Sequence, residues 1–395
     1  MRFRTIVCGL AFLAVVGGAA AQLSVPSAGA IPRKDANHFW LARNRICVSV
    51  WVNDSGPYPF LLDTTLGHCV IDRRLAARFG AAAQSTERFQ VTDPNGNLVN
   101  AEMVNVQSLR FAERPLKCPT VLSMDLSGFL KQLGQRVDGI LACTQVMDGL
   151  ALDFASGALG HASGVGVDPS RDLYTVPLHV AQEGPPMVEA LVNQKHLRRF
   201  AVDLSLGDLV AIPRTTAQEL GLLSAATPQL VLGLEEENEA VTKWQSYFRL
   251  RSLKVGAIEI LSPVCRIDDA GETPRLGIGF LQHFQTTFDF AGGYLRLVSD
   301  AVMTLRDGYI EGYGLALGDR EDGYWCVRVA RDSPADRAGI LPGGQLIAID
   351  GASMQDKPHA VVMRHLAKPE GGKGRVTIQR GVSRADYDLI AERLL

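Results

Sequence analysis

The stretch Pro59-Phe60-Leu61-Leu62-Asp63-Thr64-Thr65-Leu66-Gly67-His68-Cys69-Val70-Ile71-Asp72 returns later as Arg199-Phe200-Ala201-Val202-Asp203-Leu204-Ser205-Leu206-Gly207-Asp208-Leu209-Val210-Ala211-Ile212-Pro213. Each copy drives an apolar run into an Asp, turns through a Gly and enters a second apolar run. The offset is 140 residues at Asp63/Asp203, and the same at Val52-Asn53/Val192-Asn193 upstream. Both copies continue into a helix-like segment, Arg73 to Phe79 and Arg214 to Leu220. The far ends match as well. Val137-Asp138-Gly139-Ile140-Leu141 leads to Leu152-Asp153-Phe154-Ala155-Ser156-Gly157, and Arg275-Leu276-Gly277-Ile278 leads to Phe288-Asp289-Phe290-Ala291-Gly292-Gly293. A chain that contains one unit twice is read through its repeat before any single motif.

Each unit reads as β. Short apolar or alternating runs such as Cys47 to Val52 and Phe60 to Leu62 lie between turn residues. Asn95-Gly96 is a two-residue hairpin signal, because a type I′ turn needs positive φ at both positions. One helix per unit is expected, at Arg73 to Phe79 and Arg214 to Leu220. The expected fold class is mainly β: two pseudo-symmetric lobes, then a small β-rich domain with two helices.

With those residues in view, each copy resembles one lobe of a retropepsin-like aspartic protease. In that family a hydrophobic strand delivers an Asp-Thr/Ser-Gly turn, with an apolar-apolar-Gly segment beneath it. Phe60 to Asp72 resembles the first element; Gly139-Ile140-Leu141 and Leu276-Gly277-Ile278 resemble the second. The resemblance covers roughly residues 40–300. It implies two aspartic-protease-like lobes whose catalytic pair is Asp63 and Asp203. Two carboxylates held together cannot both ionise, so they share one proton, and the ionised one activates water. Such a pair titrates as a unit.

The triplets depart from the family pattern. Thr65 and Ser205 stand where the family has Gly, and Leu204 stands where a hydroxyl would brace the facing loop; Thr64 keeps that hydroxyl. Glu235-Glu236-Glu237 occupies the tip of the second covering hairpin. Two functions therefore stay open: an aspartic-type endopeptidase, and an inactive protease-fold scaffold that binds peptides. No Gly-x-Ser-x-Gly elbow is present, which argues against a serine hydrolase.

From about Leu305 the pattern changes. Trp325 to Val329 reads as a strand, and Ser333-Pro334-Ala335-Asp336-Arg337-Ala338-Gly339-Ile340 as a short helix with Ser333 at its N-cap. Gly343 to Gly351 is a turn, strand and turn, and Pro358 to Leu366 an amphipathic helix. This order resembles a bacterial PDZ domain. The resemblance implies a carboxylate-binding loop at Gly312, Tyr313, Gly314 and Leu315, with pockets set by His359, Val362 and Leu366.

The 395 residues exceed one ordinary core, and 47% hydrophobic with 21% charged residues fits a globular protein. The 39 Gly and 19 Pro favour turn-rich β architecture. A net charge of −2 offers nothing to nucleic acid. Arg2, Arg4, the apolar run Ile6 to Val16 and Ala19-Ala20-Ala21 read as a signal peptide over residues 1–21. The expected location is secreted or periplasmic, with no membrane contact after the signal is removed. Six cysteines remain, which permits disulfides, but no Cys-x-x-Cys supports a metal or redox site. No cofactor and no metal are expected. The expected partner is a polypeptide substrate or ligand. The expected divisions are residues 36–175 and 176–300 for the two lobes and 305–395 for the PDZ domain.

Overall fold

A computed structural model of the chain describes Thr5–Ile6 and residues 37–395, except 43, 81–82, 93–97, 117–119, 134, 163–171, 182–183, 225–226, 228, 235–242, 270, 300–303, 307–310, 321–322, 356 and 358. Apart from Thr5–Ile6, the expected signal segment lies outside the described residues, as do Asn95-Gly96 and Glu235 to Glu237.

The chain is mainly β. One sheet runs Ala83–Thr92, Leu98–Asn105, Thr120–Met124, Val70–Asp72, Gly139–Ala142, Ser55–Asp63, Arg45–Val52, Leu109–Phe111, Arg114–Pro115. Another runs Leu230–Leu234, Lys243–Arg249, Val264–Asp268, Val210–Pro213, Arg275–Leu276, His196–Val202, Met187–Val192, Ser252–Val255, Ile258–Leu261. The two orders correspond strand by strand. So do the directions: the short inner strand is parallel to the Asp-bearing strand in each.

The opening hairpins show why the sequences fold alike. Asn53 and Asp54 have φ of 49° and 57°, and Asn193 and Gln194 have 51° and 57°. Positive φ at both central positions is the turn that suits strand twist. Each Asn also works through its side chain. Asn53 Oδ1 accepts the N–H groups of Gln107 and Ser108 at 2.8 and 3.1 Å, and Asn193 Oδ1 accepts those of Arg251 and Ser252 at 2.7 and 3.2 Å.

A third, five-stranded sheet joins the units: Ala158–Gly160, Gly149–Asp153, Gln285–Asp289, Tyr294–Ser299, Asp172–Pro177. At its centre Gly149 faces Asp289, Ala151 faces Thr287 and Asp153 faces Gln285, all antiparallel. Since Asp153 and Asp289 are the matching closing residues, this pairing is self-complementary, as across a twofold axis at Ala151/Thr287. One continuous core runs through both units, with Ile46, Phe60, Phe200 and Phe288 fully buried. Phe60 packs on Gly139, where a Cβ would stand 2.1 Å from the ring. Large-to-small changes at such aromatics cost about 3–5 kcal/mol.

The C-terminal residues form a separate antiparallel sheet of Leu315–Arg320, Gly323–Val329, Gly344–Ile349, Lys373–Arg380 and Ser383–Ile390, with the short strand Ala352–Ser353 beside it. Helices Pro334–Arg337 and His359–Leu366 complete it, the first capped by Ser333 Oγ, which accepts the Asp336 N–H. Its own core contains Tyr313, Cys326, Val362 and Val376. This module docks on the second unit. Ala330, Leu394 and Leu395 cover Leu230, Tyr247 and Val264, and Arg249 Nη2 donates to the Leu395 carbonyl at 2.8 Å.

Some details differ from the sequence reading. Besides Arg73–Arg78 and Arg214–Glu219, each unit carries a short helical turn after its inner strand, Cys143–Val146 and Ile278–Leu281, and the first also has Gly128–Leu133. These follow chain reversals that carry no separate periodic signal. Cys47, Cys69, Cys143, Cys265 and Cys326 are free, buried thiols. No described helix is long and apolar enough to cross a membrane.

Candidate functional site

Asp63 ends the strand Ser55–Asp63, and Asp203 directly follows His196–Val202. Both are buried, at 1% and 0% exposure. The two loops face each other and are bridged by one hydroxyl. Thr64 Oγ1 donates to the Val202 carbonyl at 2.5 Å and accepts the Leu204 N–H at 3.1 Å. Leu204 is itself fully buried but has no polar group to return the bond. The brace between the units is therefore one-sided.

Each Asp is closed on by the residue two positions later. Asp63 Oδ1 accepts Thr65 N at 2.6 Å, Thr65 Oγ1 at 2.8 Å and Leu66 N at 3.2 Å. Asp203 Oδ1 accepts Ser205 N at 2.7 Å and Ser205 Oγ at 2.6 Å. Thr and Ser in place of Gly thus add a hydroxyl donor to each carboxylate. The remaining oxygen of Asp203, Oδ2, takes Arg275 Nη1 at 2.9 Å, and the other arm of Arg275 bonds Asp268 Oδ2. Asp63 Oδ2 is buried with no hydrogen-bond partner.

Arg275 reaches this point because of strand register. Ala201 pairs with Arg275 and Val202 with Leu276, while Leu61 pairs with Ile140 and Leu62 with Leu141. Arg275 is therefore the counterpart of Ile140, and Leu276-Gly277 of Leu141-Ala142. Matching the glycines in sequence sets Gly277 against Gly139, three residues out of step with the strand register, in which Gly277 is the counterpart of Ala142. That match misleads because Gly277 serves a local close approach: a Cβ there would lie 2.3 Å from the Leu206 and Asp208 carbonyls.

Further buried charges surround the pair. Arg266 Nη1 lies 3.0 Å from Asp208 Oδ2, and Arg45 is buried within range of Asp63 and Asp203. Burial pulls the Arg45 guanidinium below its ordinary range, against the pull of Asp203 and Asp63. Burial also acts on Arg275, but Asp203 and Asp268 outweigh it and hold that guanidinium above its ordinary value. Burial, and then the Asp203 charge, push the Asp63 carboxyl up to about 6 against the Thr65 hydrogen bonds. None of Arg45, Asp208, Arg266, Asp268 and Arg275 was singled out from the sequence as a site residue. A charge inside an otherwise apolar strand, as in Val264-Cys265-Arg266-Ile267, was the available signal. His68 lies on the same turn, with Nδ1 buried and unpartnered.

In the C-terminal module, Gly312 and Gly314 have φ of 145° and 79°, and a Cβ on Gly314 would strike Ser333. Leu315 begins the edge strand Leu315–Arg320, which has one strand neighbour among the described residues. Tyr313, Val362 and Leu366 are buried in the module's core. Of His359, only its place at the start of the helix is described.

Residues 48–143 match a family described as aspartyl protease. Among solved structures, a retropepsin-like aspartic protease from Rickettsia conorii is similar at 19% identity, covering 34% of this chain and 97% of that one, with a TM-score of 0.27. The photosystem II D1 C-terminal processing protease is similar at 18% identity, covering 21% of this chain and 23% of that one, with a TM-score of 0.20. No curated protein matches the chain. The family match and the mainly β sheets give an aspartic-protease-like fold.

Proposed function

We propose that the chain is an exported polypeptide-binding protein on an aspartic-protease fold, in which Asp63 and Asp203 form a charge-compensated junction. Residues 1–21 are its signal peptide, 36–175 and 176–300 its two tandem lobes, and 305–395 a PDZ-type peptide-binding module; it acts in a secreted or periplasmic setting. The observation that carries this reading is the ion pair of Asp203 Oδ2 with Arg275 at 2.9 Å. A catalytic pair needs one carboxylate basic enough to deprotonate water. A guanidinium that bridges Asp203 and Asp268 weakens that base, and the Thr65 and Ser205 hydroxyls occupy acceptor positions that a bound water would use. For the C-terminal module, the reading is supported by the edge strand after Gly314, which can take an extended peptide as an added strand.

A second reading, an acid endopeptidase, is favoured by one observation. Asp63 is held up to about 6, so below that pH one member of the pair carries a proton while its neighbour keeps its guanidinium partner. The test is hydrolysis of unfolded protein substrates from pH about 3 to 7, the range in which such carboxyls titrate. The binding reading expects no turnover by the natural chain. It expects full-length protein to retain peptides displayed with free C-termini, whether or not Asp63 and Asp203 are changed to Asn. Turnover abolished by either Asp→Asn change would establish the second reading instead.

A further inference from the structure

A cavity of about 270 Å³ opens on the first unit, away from the aspartate pair. Its walls are Trp40, Pro57, Tyr58 and the helix Arg73–Arg78, with Arg74, Arg78 and Arg136 at the rim. Tyr58 lies five residues before Asp63 on the same strand, so the cavity is roughly 17 Å from the pair along the strand.

The aromatic walls are fixed in place. Trp40 Nε1 donates to Gln135 Oε1 at 3.0 Å, and Gln135 Nε2 reaches Cys47 Sγ at 2.9 Å. The Tyr58 ring meets Phe79 edge to face, with centroids 6.1 Å apart. The lining sets three arginines against one carboxylate, Asp138, and the arginines are only partly used. Arg74 bonds Asp72 and Arg136 bonds Asp138 through Nε, and Arg78, in the last turn of its helix, is exposed. A guanidinium fork matches a carboxylate, and an aromatic wall favours a flat apolar group. The volume is below the usual range for drug-sized ligands, which leaves space for one ring and a short acid.

The second unit does not repeat the residues that line it. At the repeat offset, Tyr58 corresponds to Arg198 and Arg78 to Gln218. Arg74 corresponds to Arg214, whose guanidinium is taken by Asp269. A fold shared by both units does not by itself require the aromatic wall with its arginine rim.

We propose that this cavity is a binding site for an aromatic carboxylate, with the ring against Trp40 and Tyr58 and the carboxylate among Arg74, Arg78 and Arg136. A free aromatic acid and a polypeptide ending in an aromatic residue both present that chemistry. Titration calorimetry on the full chain distinguishes them with 3-phenylpropionate, the peptide Gly-Gly-Phe with a free C-terminus, and the amide of each. Saturable binding of either acid that Arg78→Gln weakens, with the amide weaker by about tenfold or more, is the expected result. The acid that binds tighter by that component names the source, since peptide held by the C-terminal module is unaffected by Arg78→Gln. Arg78→Gln, at an exposed position outside any described ion pair, should weaken the acid by about tenfold and leave the melting temperature unchanged. Trp40→Leu should weaken acid and amide together. Equal binding of acid and amide, inorganic phosphate binding as tightly as either acid, no binding of either acid, or an Arg78→Gln variant that binds as the natural chain does, would each overturn the proposal.

Discussion

Replacing Asp63 by Asn removes a titration that the fold holds in an unusual place. The carboxyl titrates at about 6 in the folded chain, against 3.8 for an ordinary aspartate. Between those values the folded state binds a proton that the unfolded chain has released. Stability contributed by this group is thus fully present below pH about 4 and falls as pH rises through about 6. The size follows from the separation of the two values, about 3 kcal/mol across the interval. The substituted amide keeps the acceptor that receives Thr65 N and Leu66 N but cannot ionise. The natural chain and Asp63→Asn should therefore differ by a quantity that itself changes by about 3 kcal/mol between pH 4 and 8, in favour of the variant at pH 8. Urea unfolding at pH 4, 5, 6, 7 and 8, followed by tryptophan fluorescence, measures it, and any constant cost of the substitution cancels in the comparison. A difference that stays flat over this range, or grows the other way, would refute the assignment of a buried, raised carboxyl to Asp63.

Thr64→Val keeps the shape of the side chain but leaves the Val202 carbonyl and the Leu204 N–H without their bridge. The expected loss is about 2–4 kcal/mol, read as a drop in urea midpoint, since each buried polar group left unpaired costs about 1–3 kcal/mol. Arg275→Met strands two buried carboxylates at once, and breaking a buried ion pair costs about 3–5 kcal/mol. Thermal melts at pH 7 should show it, with Arg275→Lys retaining part of the stability. Changing Leu394 and Leu395 together to Ser should loosen the C-terminal module from the second unit. Hydrogen exchange should rise over Leu230–Leu234 and Lys243–Arg249 and stay unchanged over Ser55–Asp63; equal change in both would argue against local docking.

The β class of the fold was legible in the sequence because its signals are local. The repeat placed Asn53 and Asn193 at matching positions, and both fall at corresponding turns with positive φ. The hydroxyl of Thr64 and its lack at Leu204 were also visible, and the bonds follow them directly. The charge network was not legible. Arg275 and Asp203 lie 72 residues apart, and their contact depends on a strand register that glycine matching misplaces by three residues. Register is fixed by the backbone ladder, and the inner strand Arg275–Leu276 is too short for an apolar alternation to reveal a three-residue slip. The cavity under Trp40 was hidden for a related reason, since its walls come from four separated segments.

The asymmetry between the units does not come from the sheet that joins them. The shared sheet pairs Gly149–Asp153 with Gln285–Asp289 in a self-complementary register, so the frame itself favours neither unit. What differs lies at the facing loops. At the Ile140 position the second unit has Arg275, and at the Thr64 position it has Leu204. The first change brings a cation to Asp203; the second removes half of the brace. Asp203 has its charge matched in place by a guanidinium, whereas Asp63, whose Oδ2 has no partner, takes up a proton near pH 6. The duplicated aspartates are thus chemically distinct, with an arginine-paired Asp203 holding the second unit's loop and a protonatable Asp63 facing it. That division suits the structural junction we propose, because one charge is matched in place and the other can be neutralised. A pair that had to exchange a proton with water at each turnover would need both carboxylates free to change state.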